Sequence, residues 1–274
     1  MNFSPTIAVL LVLLGLGVGA FGTIVGSGGG FILTPILLLL YPHDPPATIT
    51  AISLTAVFFN AASGSAAYAY QRRIDYRSGL AFATAALPGS IAGALVVGSV
   101  SRSLFDLLMA LVLLALAAWL LVGEPGKGRR PRGRLSHRTL TDRYGTTFDY
   151  DVPVRRGIAY STVVGFASSF LGIGGGIIHV PLLVRALGFP THLATATSHF
   201  VLAIIAGTGA ATHVVTGSFA HGHGIRRSIA LSVGVVAGAQ LGARLSLRAS
   251  GRLVEALLGI ALLTLAARLL LTAL

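Results

Sequence analysis

The stretch GFASSFLGIGGGIIHVPLLV, residues 165–184, places four glycines within five positions, then a histidine and a proline, inside a strongly apolar run. An uninterrupted membrane helix has no use for so many breakers. Nearly the same string occurs earlier as GAFGTIVGSGGGFILTPILL, residues 19–38. From Ile158 to Leu187 a single helix would be about 45 Å long, against a hydrocarbon core of about 30 Å. A break at the glycines, giving a hairpin with two short legs, removes the overshoot. Non-helical backbone at membrane depth is tolerated only where it is buried in protein or lines a wet cavity. The glycines therefore point to a cavity.

The rest of the chain agrees with a membrane reading. Of 274 residues 54% are hydrophobic and only 10% are charged, with a mean hydropathy of +0.83. That charged fraction is too small to clothe a soluble surface. The apolar runs are continuous rather than alternating, which excludes an outer-membrane barrel. With no cysteine there is neither a disulfide nor a thiolate metal site. A formal charge of +12 raises nucleic-acid binding, but no aromatic interleaving accompanies it, and the basic residues lie mostly in loops. Such a distribution is the positive-inside bias of cytoplasmic loops, so no nucleic-acid partner is expected. The first residues lack a basic region and a cleavage site, and the segment is read as retained.

Apolar segments fall at 6–25, 29–41, 48–70, 79–100 and 104–122. After a basic stretch the series resumes at 157–171, 174–187, 192–216, 224–246 and 252–273. Shifted by 146, Gly26, Gly28, Gly29, Gly30 and Pro35 fall on Gly172, Gly174, Gly175, Gly176 and Pro181. Shifted by 145, Thr50, Ser53 and Gly64 fall on Thr195, Ser198 and Gly209, and Gly89 and Gly93 fall on Gly234 and Gly238. At 149, Asp106 falls on Glu255. The expectation is an all-α polytopic membrane protein of two homologous repeats, 1–123 and 157–274. Each is a Gly-broken helical hairpin plus three transmembrane helices. Residues 124–156 form a flexible, basic cytoplasmic connector between them. Whether the broken segments are full hairpins (ten passes) or partial ones (eight helices) stays open.

A hairpin gives each half an odd number of passes, so the repeats should be inverted. Charge agrees. The inverted arrangement puts Arg72, Arg73, Arg77, Arg185, Arg244, Arg248, Arg252 and the connector on one side, leaving Arg102, Arg226 and Arg227 on the other.

Chemistry is sought first at the breaks. The second leg begins just after each glycine triplet, so its first N–H groups lack intrahelical acceptors and, with the helix dipole, favour an anion. Gly28, Gly29, Gly30, Gly174, Gly175 and Gly176 are therefore substrate-binding candidates, in the manner of half-helix ends that meet near the midplane of secondary transporters. The competing reading is close helix packing, which is preferred for Gly89/Gly93 and Gly234/Gly238/Gly242. Thr50, Ser53, Thr195 and Ser198 either line the same pocket or bond back to their own helices. Asn60 and Gln240 are buried amides, as glue or as substrate contacts. Of the membrane histidines His179, His199 and His213, His179 lies three residues beyond a triplet and is the candidate for proton coupling. His221 and His223 make a poor metal site. No metal or cofactor is expected. The eight acidic residues lie at segment ends or in loops, leaving no carboxylate cage for a cation and no arrangement for intramembrane hydrolysis. GVGAFG at 17–22 matches a dinucleotide fingerprint but follows no strand.

The two G-x-GGG-[FI]-[IL]…P blocks, each followed by a T-x-x-S helix, resemble the sulfite exporter TauE/SafE family of membrane permeases, also called toluene sulfonate uptake permeases. The resemblance covers essentially the whole chain. It implies a multi-pass cytoplasmic-membrane transporter, not an enzyme, whose small anionic substrate is a sulfur oxyanion or organosulfonate such as sulfite, thiosulfate or sulfoacetate. In the expected mechanism one repeat rocks against the other, with Arg72, Arg73 and Arg244 attracting the anion. A membrane-embedded enzyme or assembly factor and a passive anion channel are the alternatives. The particular anion, the direction, the coupling ion and the oligomeric state stay open.

Overall fold

The glycine breaks set the architecture. In the computed structural model, which describes residues 4–122, 135–220, 223–246 and 251–273, α1 (Pro5–Val25) stops at Gly26 and α2 (Gly30–Leu40) starts after the triplet. Gly26, Gly28 and Gly29 have φ of 82°, 73° and 80°, a backbone region that glycine occupies at little cost and other residues rarely do. Next come α3 (Pro46–Tyr70), α4 (Tyr76–Val96) and α5 (Arg102–Val122). The second half repeats the order with α6 (Val154–Leu171), α7 (Gly176–Pro181), α8 (Thr191–Val215), α9 (Gly224–Leu245) and α10 (Gly251–Ala273). Gly172, Gly174 and Gly175 again have positive φ, of 68°, 78° and 71°. Past Pro181 the short α7 continues as a π-helical turn, Leu182–Ala186.

Helices α1, α3, α4 with its last turn, α8 and α9 are long and apolar enough to cross a bilayer. The broken segments differ from the expected pair of short legs. The 21 residues of α1 make a helix of about 31 Å, a full span, whereas the 11 of α2 reach about half as far. In the second half 18 residues of α6 are likewise followed by a shorter leg.

Helix directions follow from the contacts. A side chain at Gly234 would strike Val12, one at Gly238 would strike Leu16 and one at Gly242 would strike Ala20, so α1 and α9 run parallel. On the same evidence α4 and α6 run parallel, Gly89 against Thr162 and Gly93 against Phe166. Helices α3 and α8 are antiparallel: Thr48 bonds to Ser218 at one end, and the Asp75 N–H bonds to Thr197 at the other. Asn60, Ser63 and Gln71 meet Val235, Val236 and Ala243 in order, so α3 runs with α9. With the α1–α9 pairing, α1 and α3 run one way and α6 and α8 the other. Both four-residue glycine rows serve backbone-to-backbone packing. Around them a core of Phe31, Leu37, Phe105, Met109, Leu113, Ile173, Leu231 and Leu262 is closed to solvent.

The connector departs from the flexible segment expected, and adds strands to a fold expected to be all-α. Residues 123–134 lie outside the described residues, as do His221 and Arg248. From Ser136 onward, however, the chain forms β1 (Ser136–Thr141) and β2 (Thr147–Val152), an antiparallel hairpin pairing Ser136 with Val152 and Thr141 with Thr147. Its turn is pinned by Asp142, whose carboxylate accepts from the Tyr144 and Thr146 N–H groups. The same carboxylate receives Arg73 at 2.8 Å. Burial opposes its charge, yet the hydrogen bonds from Arg73 and from those N–H groups prevail and hold the carboxyl below its ordinary range. Tyr150 donates to Asp75 at 3.1 Å, and its ring meets Phe189 at 5.1 Å. The hairpin is thus strapped across the α3–α4 loop and the start of α8. At the opposite end Arg102 spans Asp106 and the carbonyls of Leu38, Tyr41, Pro42 and Asp44, and Arg227 pairs with the Asp44 carboxylate.

Candidate functional site

The two glycine turns meet at mid-height of α3 and α8. A Cβ on Gly30 would lie 2.7 Å from the Ile173 carbonyl, and one on Gly176 would lie 2.8 Å from the Gly26 carbonyl. Each turn therefore rests on the backbone of the other. Val57 and Leu202, from the middles of α3 and α8, cover both Gly28 and Gly174. Gly29 packs on Val18 of its own first leg, and Gly175 packs on Ser168 and Val164. Every predicted glycine is buried, and the two turns are closed on each other.

The T-x-x-S pairs come to the same place, each on the turn of the other half. Ser53 Oγ donates to the Gly172 carbonyl at 2.7 Å, and Ser198 Oγ donates to the Gly26 carbonyl at 3.3 Å. Thr50 packs on Gly172 and Thr195 on Gly26. Thr50 also bonds back to Ala47 of its own helix, as the second reading of these hydroxyls has it. Sequence inspection missed Thr34. Its hydroxyl lies 2.7 Å from the Gly172 carbonyl and 2.8 Å from Ser53 Oγ. A threonine just before the helix proline was its only mark, and the second half has Val180 there.

The two amides are interhelical struts. Asn60 Nδ2 donates to the Gly19 and Val235 carbonyls at 3.0 and 3.4 Å, and Gln240 donates to Ser63. The histidines divide into two kinds. His213 has both ring nitrogens engaged, by Thr50 and Ser218. His179 faces Ser161 through Nε2 and His199 faces Thr23 through Nε2, and in both Nδ1 is buried without a hydrogen-bond partner. The Ser168 hydroxyl, beside Gly175, is likewise buried and unpartnered. Of the arginines expected to attract an anion, Arg73 is spent on Asp142, while Arg72 and Arg244 are exposed. Among the described residues no group of three or more His, Cys, Asp or Glu side chains could hold a metal.

Residues 11–269 match the family model described as Sulfite exporter TauE/SafE. A probable membrane transporter protein of Bacillus subtilis (strain 168), YunE, is 31% identical over 215 residues, 76% of this chain and 79% of the relative. A probable membrane transporter protein of Xylella fastidiosa (strain Temecula1 / ATCC 700964) is 32% identical over 192 residues, covering 68% and 67%. No solved structure matches the chain. With the match extending over nearly its whole length, this multi-pass membrane protein belongs to the sulfite exporter TauE/SafE family.

Proposed function

We propose that the chain is a secondary transporter that moves small anions, sulfur oxyanions or organosulfonates, across the cytoplasmic membrane by alternating access. In this reading residues 1–123 and 157–274 are inverted repeats, 124–156 join them, and the anion binds between the parted glycine turns. The observation that carries it is the reciprocal clasp: Ser53 on Gly172 and Ser198 on Gly26, each hydroxyl crossing to the other half. Two helices of opposite direction holding each other's turns is the arrangement expected of two related half-sites at one depth. Anion preference is supported by the N-terminus of α2, where helix geometry leaves the first amides without intrahelical acceptors, those of Ile32 and Leu33 being taken by the Gly29 carbonyl. The described acidic side chains add to it, lying at helix ends or in the β-hairpin. The sulfite exporters of the family supply the sulfur chemistry.

Packing refines the expected motion. The backbone-to-backbone contacts join α1 to α9 and α4 to α6, so the bodies that rock contain helices from both halves. The turns part along the α3–α8 seam, and the exposed Arg72 and Arg244 gather anions at one mouth.

Radiolabelled sulfite counterflow in proteoliposomes, with thiosulfate, sulfate, sulfoacetate and lactate as competitors, tests the reading. Saturable counterflow blocked by sulfur oxyanions supports it. Conductance without saturation or counterflow makes the protein a channel, and chemical conversion of the anion makes it an enzyme.

A further inference from the structure

Resting on the transport reading and deepening it, we infer that His199 carries the coupling proton, through a ring nitrogen that its hydrogen-bond network leaves vacant beside the first glycine turn. The network fixes the tautomer. Asn60 Nδ2 must face the Gly19 and Val235 carbonyls, because both only accept. Its Oδ1 is thereby turned to Thr23, whose hydroxyl proton is committed to it at 3.1 Å. The Thr23 oxygen then has only lone pairs to offer His199, 3.3 Å away. His199 Nε2 must therefore donate, which leaves Nδ1 as a bare lone pair in the neutral ring. That atom is buried and has no hydrogen-bond partner.

Nδ1 has a defined purpose to serve when protonated. Ser198, the adjacent residue, already holds the Gly26 carbonyl, and Thr23, the partner of the His199 ring, lies three residues before that turn. A proton at Nδ1 makes a second donor at that turn while Nε2–H keeps its bond to Thr23. Protonation thus tightens the first turn, and proton loss frees it. The ring is held edge-on to Tyr68, centroids 5.5 Å apart, and Gly64 gives it room: a Cβ there would lie 2.6 Å from the imidazole.

The surrounding titratable and charged groups are few. From α3 comes Tyr68, whose hydroxyl donates to the Thr23 carbonyl. Helix α1 contributes no titratable side chain. At the end of α9 Arg244 follows Gly242, which packs on Thr23. Asp75, before α4, reaches α8 at Thr197 through its N–H. From α7 His179 is bonded to Ser161 and edge-on to Phe82. His213, farther along α8, has both ring nitrogens paired and is a packing residue.

The test uses the full chain in proteoliposomes and whichever of thiosulfate, sulfate and sulfoacetate shows counterflow, because their charge is constant near neutral pH. Counterflow needs no gradient, whereas accumulation driven by a pH gradient does. His199→Gln keeps a donor toward Thr23 but cannot titrate. Its expected result is a ratio of gradient-driven accumulation to counterflow down by about tenfold or more. Thr23→Val, which removes the acceptor and releases the ring, should displace the pH profile of accumulation even if the glutamine variant folds poorly. Full gradient drive in His199→Gln, or an unchanged profile in Thr23→Val, overturns the proposal. Loss of drive in His179→Gln alone overturns it in favour of that residue. Wild-type counterflow without any gradient drive sinks the His199 proposal and spares the transporter reading, whereas absent wild-type counterflow sinks both.

Discussion

Ser53 and Gly172, 119 positions apart in the chain, are joined by a 2.7 Å hydrogen bond from the serine hydroxyl to the glycine carbonyl. The equivalent bond on the other turn, Ser198 to Gly26, is longer at 3.3 Å. Thr34 also reaches the Gly172 carbonyl, whereas Ser198 is the hydroxyl donor found on Gly26. Unpairing a buried carbonyl costs about 1–3 kcal/mol. Ser198→Ala should therefore lower the melting temperature in detergent more than Ser53→Ala, and Thr34→Val/Ser53→Ala together should exceed the sum of the singles. Equal losses from the two serine variants would contradict the asymmetry.

Gly176 has no positive φ, so alanine meets no backbone strain there, but its methyl would press on the Gly26 carbonyl and Ser27. Gly176→Ala should wedge the turns apart and slow counterflow by about tenfold or more while the protein still folds. Gly175→Val is the harsher change: it forces a branched residue to a φ of 71° and into Ser168, costing on the order of 1–3 kcal/mol from backbone strain alone. Wild-type counterflow in folded Gly176→Ala would show that the turns do not have to touch.

The α1–α9 contact makes a third expectation. Alanine at Gly238 would drive its methyl into the Leu16 carbonyl, whereas Gly17, also on α1, has open space around it. Overpacking costs about 1–3 kcal/mol. Gly238→Ala should lower thermal stability by several degrees and Gly17→Ala should leave it unchanged or slightly raised. Parity between the two would remove the close-packing account of the glycine row.

Acid should release the β-hairpin. Because the folded Asp142 carboxyl is held below its ordinary value, its contribution is fully present above the unfolded value of about 3.9 and is lost as pH falls through the lower folded one. Hydrogen exchange of residues 136–152 should rise below about pH 4, and Asp142→Asn should show raised exchange at neutral pH. Protection that ignores both acid and the substitution would mean the Arg73 pairing does not hold the strap.

How much of this was legible in the sequence differs from part to part. The helix series was readable because apolar length is a strong constraint in a bilayer, and the breaks were readable because Gly28, Gly29, Gly174 and Gly175 need a backbone that other residues avoid. The clasp was half readable: T-x-x-S marked hydroxyls of interest, but their targets lie across the seam, and only the crossing of α3 with the opposite turn reveals them. Thr34 and the Thr23–Asn60–His199 chain carry no local pattern, since their geometry arises where α1, α3 and α8 meet. The hairpin was masked by its basic surroundings, although Gly145 and the Asp142 turn separate two short runs of alternating burial.

The glycine row that seats α1 on α9 has a consequence for synthesis. Val12, Leu16 and Ala20 are synthesised more than 200 residues before the backbone that fits them, which belongs to α9. Throughout elongation that face of α1 has only lipid, or an insertion factor, for company. A chain halted before α9 should leave that face of α1 exposed to quality-control proteases, so the surface of α1 is completed only when α9 arrives.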